Sequence, residues 1–550
     1  MRRLTIVAYA VNGSGLGHLT RVTAILRWVR RLGKLVGVQP DIYILTSSEA
    51  SALAFEEGFA AFKIPSKTAI RLASIQKEDY LRLAKQWVWH SLGLLRPDIL
   101  LVDTFPGGSF GELFHALDGT GSKVFIHRAM KDVFSQQEVF QAMLPLYDRI
   151  LVPEEPGQIR TELSSRLAAR TRYLGPILLR DRVELHSREK ARRRLGIPEA
   201  SLGIWISAGG GGDPKAAQVL QRLVETLRAE PNVHLVIGAG PLFRGEPIRG
   251  ANITWVTEFN AVLDFPGLDC AFSAAGFNSY HELLHAGVPT AFFGQEKIAD
   301  EQSRRVERAV KAGAARLLKL DASGIPEPSS IVDMLTWFRN PENRSVLGHA
   351  ASEFVPRNWA QEAAFEVLAT QLPKSQLEDA LELGTPEFFY QLDQLELDFD
   401  LVQDVLKELG PASEVDGSER RDLFFELIDQ AGARPETTAR HFLALVKRMP
   451  KLTDETGAQD RISAAIRVIE RLNPFDDDRG ATAFLRLLPA ERQPQADQFA
   501  NQLSLFLESL HVAGESLWRG MAILSRHQDQ LPAGSSFLSV LDAARKEVEK

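Results

Sequence analysis

The sequence predicts two α/β domains with parallel sheets followed by an all-helical domain, and three observations carry that expectation. Short, wholly apolar runs alternate with helical stretches up to about residue 180, the alternation restarts near residue 200, and after about residue 372 the apolar runs stop. Wholly apolar strands separated by helices indicate a parallel sheet covered on both faces. At 550 residues the chain is long enough for about three or four units, each with its own core.

In the first block, residues 1–180, the expected strands are "LTIVAYAV", "DIYILTSS", "DILLVDTF", "KVFIHRA" and "RILVPEE". A linker, "LGPILLRDRVELHSREKARRRLG", leads into the second block, residues 181–372. Its expected strands are "LGIWISAGG", "HLVIGAG", "NITWVTEF", "DCAFSAAG", "PTAFFGQ" and "ARLLKL". In open parallel sheets ligands bind beyond the carboxyl ends of the strands, so a cleft between the two halves is the expected site. From 373 to 550, segments such as "TPEFFYQLDQLELDFDLVQDVLKEL" and "DRISAAIRVIERL" space their apolar residues at helical period. This tail carries 20 Lys+Arg against 32 Asp+Glu, while the rest of the chain is mildly basic. It is expected to fold separately and to recruit a protein partner or support self-association.

Composition excludes several classes. Hydrophobic residues at 45% and charged residues at 25% are ordinary for a globular protein. The single cysteine, Cys270, rules out an intrachain disulfide framework and fits a reducing compartment. No apolar run reaches the roughly 18 to 20 residues of a membrane span, and a cytoplasmic location is expected. No basic stripe with interleaved aromatics appears, so nucleic acid is not an expected partner. The helix "LTRVTAILRWVRRLGKL" sets Arg21, Arg27, Arg30, Arg31 and Lys34 beside Trp28, which reads either as a basic outer helix or as a peripheral contact with anionic lipid.

Two stretches carry chemistry. After the first strand, "VNGSGLGHLTR" places Gly13, Gly15, Gly17 and His18 in a strand-to-helix turn. Glycines there let backbone approach a ligand, and the helix start offers unpaired N–H groups to an anion. The spacing matches neither the dinucleotide fingerprint nor the phosphate loop. The second stretch runs from 270 to 315. Its strand ends at Ser273 to Gly276, Asn278 and Ser279 stand at a helix start where N–H groups meet phosphate, and Glu282 lies one turn on, within reach of ribose hydroxyls.

This second stretch resembles the donor-binding signature of glycosyltransferases of the two-Rossmann-domain (GT-B) fold, family 28 in particular. The likeness rests on the small residues at the strand end, Glu282, "AGVP" at 286–289, Gln302 after an acidic pair, and "AGAA" at 312–315. "RNWAQEAAFEVLATQL" resembles the final helix of that fold, which crosses back to the first domain, so the likeness spans residues 1 to about 371. It implies two facing Rossmann-like domains and a nucleotide sugar, a UDP-sugar above all, as substrate, with neither metal nor cofactor. Glu282 would hold the ribose, Asn278 and Ser279 the diphosphate, and Gln302, with Asp300 and Glu301, the sugar hydroxyls. "SAGGGGDPK", with Gly209 and Gly210, resembles the loop that faces the diphosphate.

A histidine at the cleft can take a proton from an acceptor hydroxyl as it attacks the anomeric carbon, which gives inversion. Members of the fold support such a base with an aspartate at a strand end, and Asp103 ends "DILLVD". In family 28 the same glycine loop, with Gly13, Gly15 and Gly17, serves instead to bind an acceptor phosphate. His127 and Arg128 end another strand and are expected to face the acceptor, which is lipid-linked or a small molecule. The alternatives are a nucleotide-sugar epimerase or hydrolase of the same fold, and an inactive nucleotide-sugar sensor with the helical tail as output. The acidic runs at 398–400 and 476–478 read as solvated turns or caps rather than as a metal site.

Overall fold

A computed structural model of the chain describes residues 2–11, 15–154, 163–297, 300–395, 399–410 and 417–432. The chain divides into two compact units, Met1–Leu377 and Glu378–Lys550.

The first unit holds two parallel sheets. The first is built from β1 (Arg2–Ala10), β2 (Val38–Thr46), β3 (Ala60–Lys63), β4 (Ile99–Asp103), β5 (Ser122–Ile126), β6 (Arg149–Val152) and β7 (Thr171–Tyr173). Their order across the sheet is β3-β2-β1-β4-β5-β6-β7. The second is built from β8 (Leu202–Ser207), β9 (Val233–Gly238), β10 (Ile253–Val256), β11 (Cys270–Ala274), β12 (Thr290–Phe293) and β13 (Arg316–Leu317), in the order β10-β9-β8-β11-β12-β13. Both sheets follow the Rossmann order, so both are doubly wound α/β units, as the apolar runs predict. Strands β1, β4, β8 and β11 are buried along most of their length because helices cover both faces. The sequence reading misses β3 and β7. They are the outer strands of the first sheet, short and half exposed, and carry no apolar run.

In each sheet the winding direction reverses between the two central strands, β1 with β4 and β8 with β11. Those reversals open a crevice at the carboxyl ends of the strands, and this is where a doubly wound sheet binds its ligand. All the expected site segments leave the sheets there: Gly15 to His18 follow β1, Asp103 ends β4, Gly209 and Gly210 follow β8, and Gly276 follows β11.

A closing helix, Ala360–Leu368, returns to the first sheet and packs on the helix Gly17–Leu35. Its Glu366 pairs with Arg149 of β6 at 3.1 Å and Arg172 of β7 at 3.2 Å. Just before it, Asn358 bonds both backbone groups of Leu178 in the linker, at 2.8 and 3.0 Å. Trp359 fills the space over Gly175, and Arg357 lies 3.6 Å above its ring. A Cβ on Gly175 would stand 2.0 Å from the Trp359 indole nitrogen. Gly175→Ala is therefore expected to destabilise the first unit by about 1–3 kcal/mol through overpacking, read as a lower thermal midpoint. An unchanged midpoint would show that the indole can move aside.

The basic helix corrects both sequence readings. Arg21, Arg27 and Arg31 are buried, as is Trp28. Arg27 pairs with Glu57 at 3.0 Å and with Glu184, Arg31 pairs with Glu184 at 3.1 Å, and Arg30 bonds the Glu57 carbonyl. Arginines spent on carboxylates beneath the closing helix offer no face to lipid, so the expected lipid contact through this helix is withdrawn. Among the described residues no helix is long and apolar enough to cross a membrane.

In the second unit, the described helices Pro386–Gln394, Phe399–Leu409 and Gly417–Gly432 bear out the helical expectation over their span. Phe388 packs its ring against Phe389, Phe424 and Phe425 at centroid distances of 5.0–5.4 Å. The expected helices beyond residue 432 and the acidic run at 476–478 lie outside the described residues.

Candidate active site

The two residues expected to do acid–base work come together from separate elements. Helix Gly17–Leu35 begins on the glycine turn and places His18 on its first turn, while Asp103 is the last residue of β4. His18 Nδ1 lies 2.5 Å from Asp103 Oδ2, and both side chains are buried. Nε2 takes no partner among the described residues. Phe105 stacks on the imidazole at 5.8 Å.

Asp103 is fully buried and fully engaged. Arg21 donates through Nε to Oδ1 at 2.9 Å and through Nη2 to Oδ2 at 3.1 Å, and Thr104 Oγ1 donates to Oδ2 at 2.9 Å. Burial alone would raise the Asp103 carboxyl. Arg21 and His18 outweigh it and hold the group well below the usual carboxylate range. For His18, burial is the largest influence and lowers its pKa. Asp103 pulls it up, while Arg128 and Arg21 push it down, and the net direction is down. The surroundings of the imidazole thus favour its neutral form. Thr104 itself sits at φ +68°, a left-handed conformation that a β-branched residue adopts only under constraint from its surroundings.

The other wall of the crevice comes from the second sheet. Helix Phe277–His285 starts at Gly276, whose extended backbone leaves no side-chain cap, and no acidic residue occupies its first turn. The N–H groups of its first turn are therefore open to an anion. Asn278 and Ser279 stand there, half buried, with no side-chain hydrogen bond to any described residue. A Cβ on Gly17 would come 4.0 Å from Asn278 Oδ1, and one on Gly210 would come 3.2 Å from Leu16. The glycine turns of the two sheets and the Asn278 helix start thus meet at one place. Gly209 takes φ +89°, where only glycine is unstrained, and open space lies over it.

Glu282 is half-buried and has no hydrogen bond to any described residue; burial pushes its carboxyl up to about 7, against a smaller opposing pull from Arg180. A desolvated carboxyl without donors is the group that a vicinal diol would satisfy.

Five of the expected site residues are engaged within the protein. Ser273 is fully buried in β11, with its hydroxyl given to the Ala274 carbonyl at 3.1 Å. Gln302 is neither solvated nor free: it is buried, and its Oε1 accepts from the Gln295 backbone at 3.0 Å, which ties down the loop ahead of the helix. Asp300 is spent on Arg305 at 2.9 Å and faces Arg128 at 3.7 Å across the crevice. His127 is buried between Phe125 and Phe140, with Nδ1 at 3.2 Å from the Arg128 carbonyl and Nε2 enclosed. Burial lowers its pKa. Glu301 pairs with Arg304 one turn on, at 3.7 Å. Arg128 does reach the crevice. Gly15 and Gly17 line the turn before His18, and Gly13 lies outside the described residues.

Sequence reasoning placed Arg21 on a basic outer helix rather than at the site, and passed over Phe277. The Arg21 guanidinium lies 5.2 Å from the Phe277 ring, and Arg305 lies 5.5 Å from the same ring. The spacing of Arg21 three residues after His18, on one helix face, was the signal available for it.

No protein-family model matches the chain, and no curated protein sequence does. Among solved structures, it is similar to the glycosyltransferase of kitacinnamycin, at 16% identity over 68% of this chain and 100% of that one, with a TM-score of 0.46. It is also similar to MurG of Acinetobacter baumannii, at 16% identity over 68% of this chain and 99% of that one, with a TM-score of 0.42. A third likeness is to the spinosyn rhamnosyltransferase SpnG complexed with thymidine diphosphate, at 16% identity over 66% and 98%, with a TM-score of 0.44. The fold itself is read from the strand order of the two sheets.

Proposed function

We propose that the chain is an inverting, metal-independent glycosyltransferase that moves a sugar from a nucleotide sugar, a UDP-sugar by the resemblance of its donor signature, to an acceptor hydroxyl. The observation that carries this reading is the His18–Asp103 pair, with Nε2 unpartnered among the described residues, at the reversal point of one sheet and beside the helix start of the other, which has no side-chain cap. In this reading Nε2 takes the acceptor's hydroxyl proton while the oxygen bonds to the anomeric carbon. The bond from that carbon to the diphosphate breaks, and its electron pair leaves on the phosphate oxygen. First-turn N–H groups at Phe277 to Ser279 and the loop at Gly209 and Gly210 receive the negative charge. Asp103 stabilises the imidazolium that forms.

Glu282→Ala is expected to weaken nucleotide-sugar binding by about 1.5–3 kcal/mol, the contribution of hydrogen bonds to a charged acceptor. Only the ionised carboxylate accepts from both ribose hydroxyls. With its pKa raised to about 7, affinity should fall as pH drops below about 7 and level off above it. Calorimetry across pH 5.5–8.5 checks this, and Glu282→Gln should flatten the curve. A wild-type affinity that ignores pH would remove Glu282 from the ribose.

The function itself is tested by a thermal-shift panel of UDP-, dTDP- and GDP-sugars, since a ligand bound only by the folded chain raises its stability. The stabilising donor is then incubated with and without candidate acceptors. Epimer or free sugar formed without acceptor would replace this reading with an epimerase or hydrolase. No stabilising donor at all would defeat it.

A further inference from the structure

Arg21 is buried, charged and placed behind the dyad, in a role that burial and ordinary helix packing do not require. Its guanidinium grips both oxygens of Asp103 in a forked pair at 2.9 and 3.1 Å, while its other face lies against Phe277, the first residue of the donor-side helix. We propose that Arg21 is a positioning residue for proton transfer, which locks the Asp103 carboxylate for His18 and keeps His18 the neutral partner of the pair. This rests on the reading of His18 as the base.

The physical ground is charge counting in a dry site. Asp103 alone would draw a proton onto His18, because one buried carboxylate favours one cation beside it. Arg21 already supplies that cation, bonded to the same carboxylate. Protonating His18 would then put two cations on one carboxylate. The charged groups that face His18 are Arg21 on its own helix, Asp103 at the end of β4 and Arg128 after β5. Of these, Arg21 alone is bonded to the same carboxylate as the imidazole. The forked grip also fixes the plane of the carboxylate, and with it the direction of the bond to Nδ1. Nδ1 then carries the hydrogen and Nε2 is left as the acceptor.

The test is a titration of His18 by nuclear magnetic resonance on the full chain labelled at its 12 histidines, with the His18 signal identified by its loss in His18→Gln. In Arg21→Met the midpoint should move to higher pH, since a cation beside the imidazole is gone. In Arg21→Lys, which keeps the charge, it should stay near the wild-type value. An unmoved midpoint in Arg21→Met, or equal shifts in both variants, overturns the proposal. Should Arg21→Met fail to fold, the wild-type Arg21 Nε resonance decides. It should report the His18 titration with the same midpoint, and an Nε signal indifferent to His18 also overturns it. Full turnover in His18→Ala would defeat the base reading while leaving the titration result intact, so the two failures are distinct.

Discussion

Replacing His18 with alanine is expected to lower turnover by about 10²- to 10⁴-fold, the usual contribution of a positioned base, while nucleotide-sugar affinity holds. The separation follows from geometry. His18 belongs to the first sheet's reversal point, and Asn278, Ser279 and Glu282 to the second's. The acidic limb of the rate profile should lie below the ordinary histidine value of about 6.5, because burial lowers the His18 pKa against the pull of Asp103. In the alanine variant that limb should vanish from the residual rate. Calorimetry with the donor and steady-state turnover from pH 5 to 8 measure both. If turnover survives and only the acceptor KM rises, His18 binds the acceptor, as the glycine-loop alternative holds.

How much of this was legible before the structure depends on what each residue's role requires. Both sheets could be read because buried parallel strands are apolar throughout, and β1, β4, β8 and β11 are of that kind. His18 and Asp103 could be read as candidates because each sits where an apolar run stops, which is where a doubly wound sheet presents its site. Their pairing was expected only through the family resemblance, because 85 residues separate them and no local pattern links them. The partners of Gln302 and Asp300 were not legible, because a polar residue at a helix start looks the same whether it is open to a ligand or ties down its own loop. The arginines of the first helix were misread for a related reason. Their partners Glu57 and Glu184 come from distant segments, so the sequence shows the cations and hides what neutralises them.

Asp103→Ala is expected to do what His18→Ala does not: destabilise the first unit by about 3–5 kcal/mol, the effect of leaving a buried charge without its partner. Arg21 is the reason. With Asp103 gone its guanidinium stays 1% exposed, with no carboxylate to receive Nε and Nη2, and Thr104 loses the acceptor of its hydroxyl beside a left-handed backbone. Removing His18 leaves Asp103 still bonded to Arg21 and Thr104, so no charge is stranded. The pH dependence supplies the sign. The folded pKa of Asp103 lies below the unfolded value of about 3.9, so its contribution is complete above that value and is lost as pH falls below it. The stability gap between wild type and Asp103→Ala should therefore be full at neutral pH and narrow in acid, and urea melts from pH 3 to 7 on both proteins measure it. A variant as stable as wild type at pH 7 would mean that Arg21 finds another anion, and the forked pair would not be what holds the dyad in place.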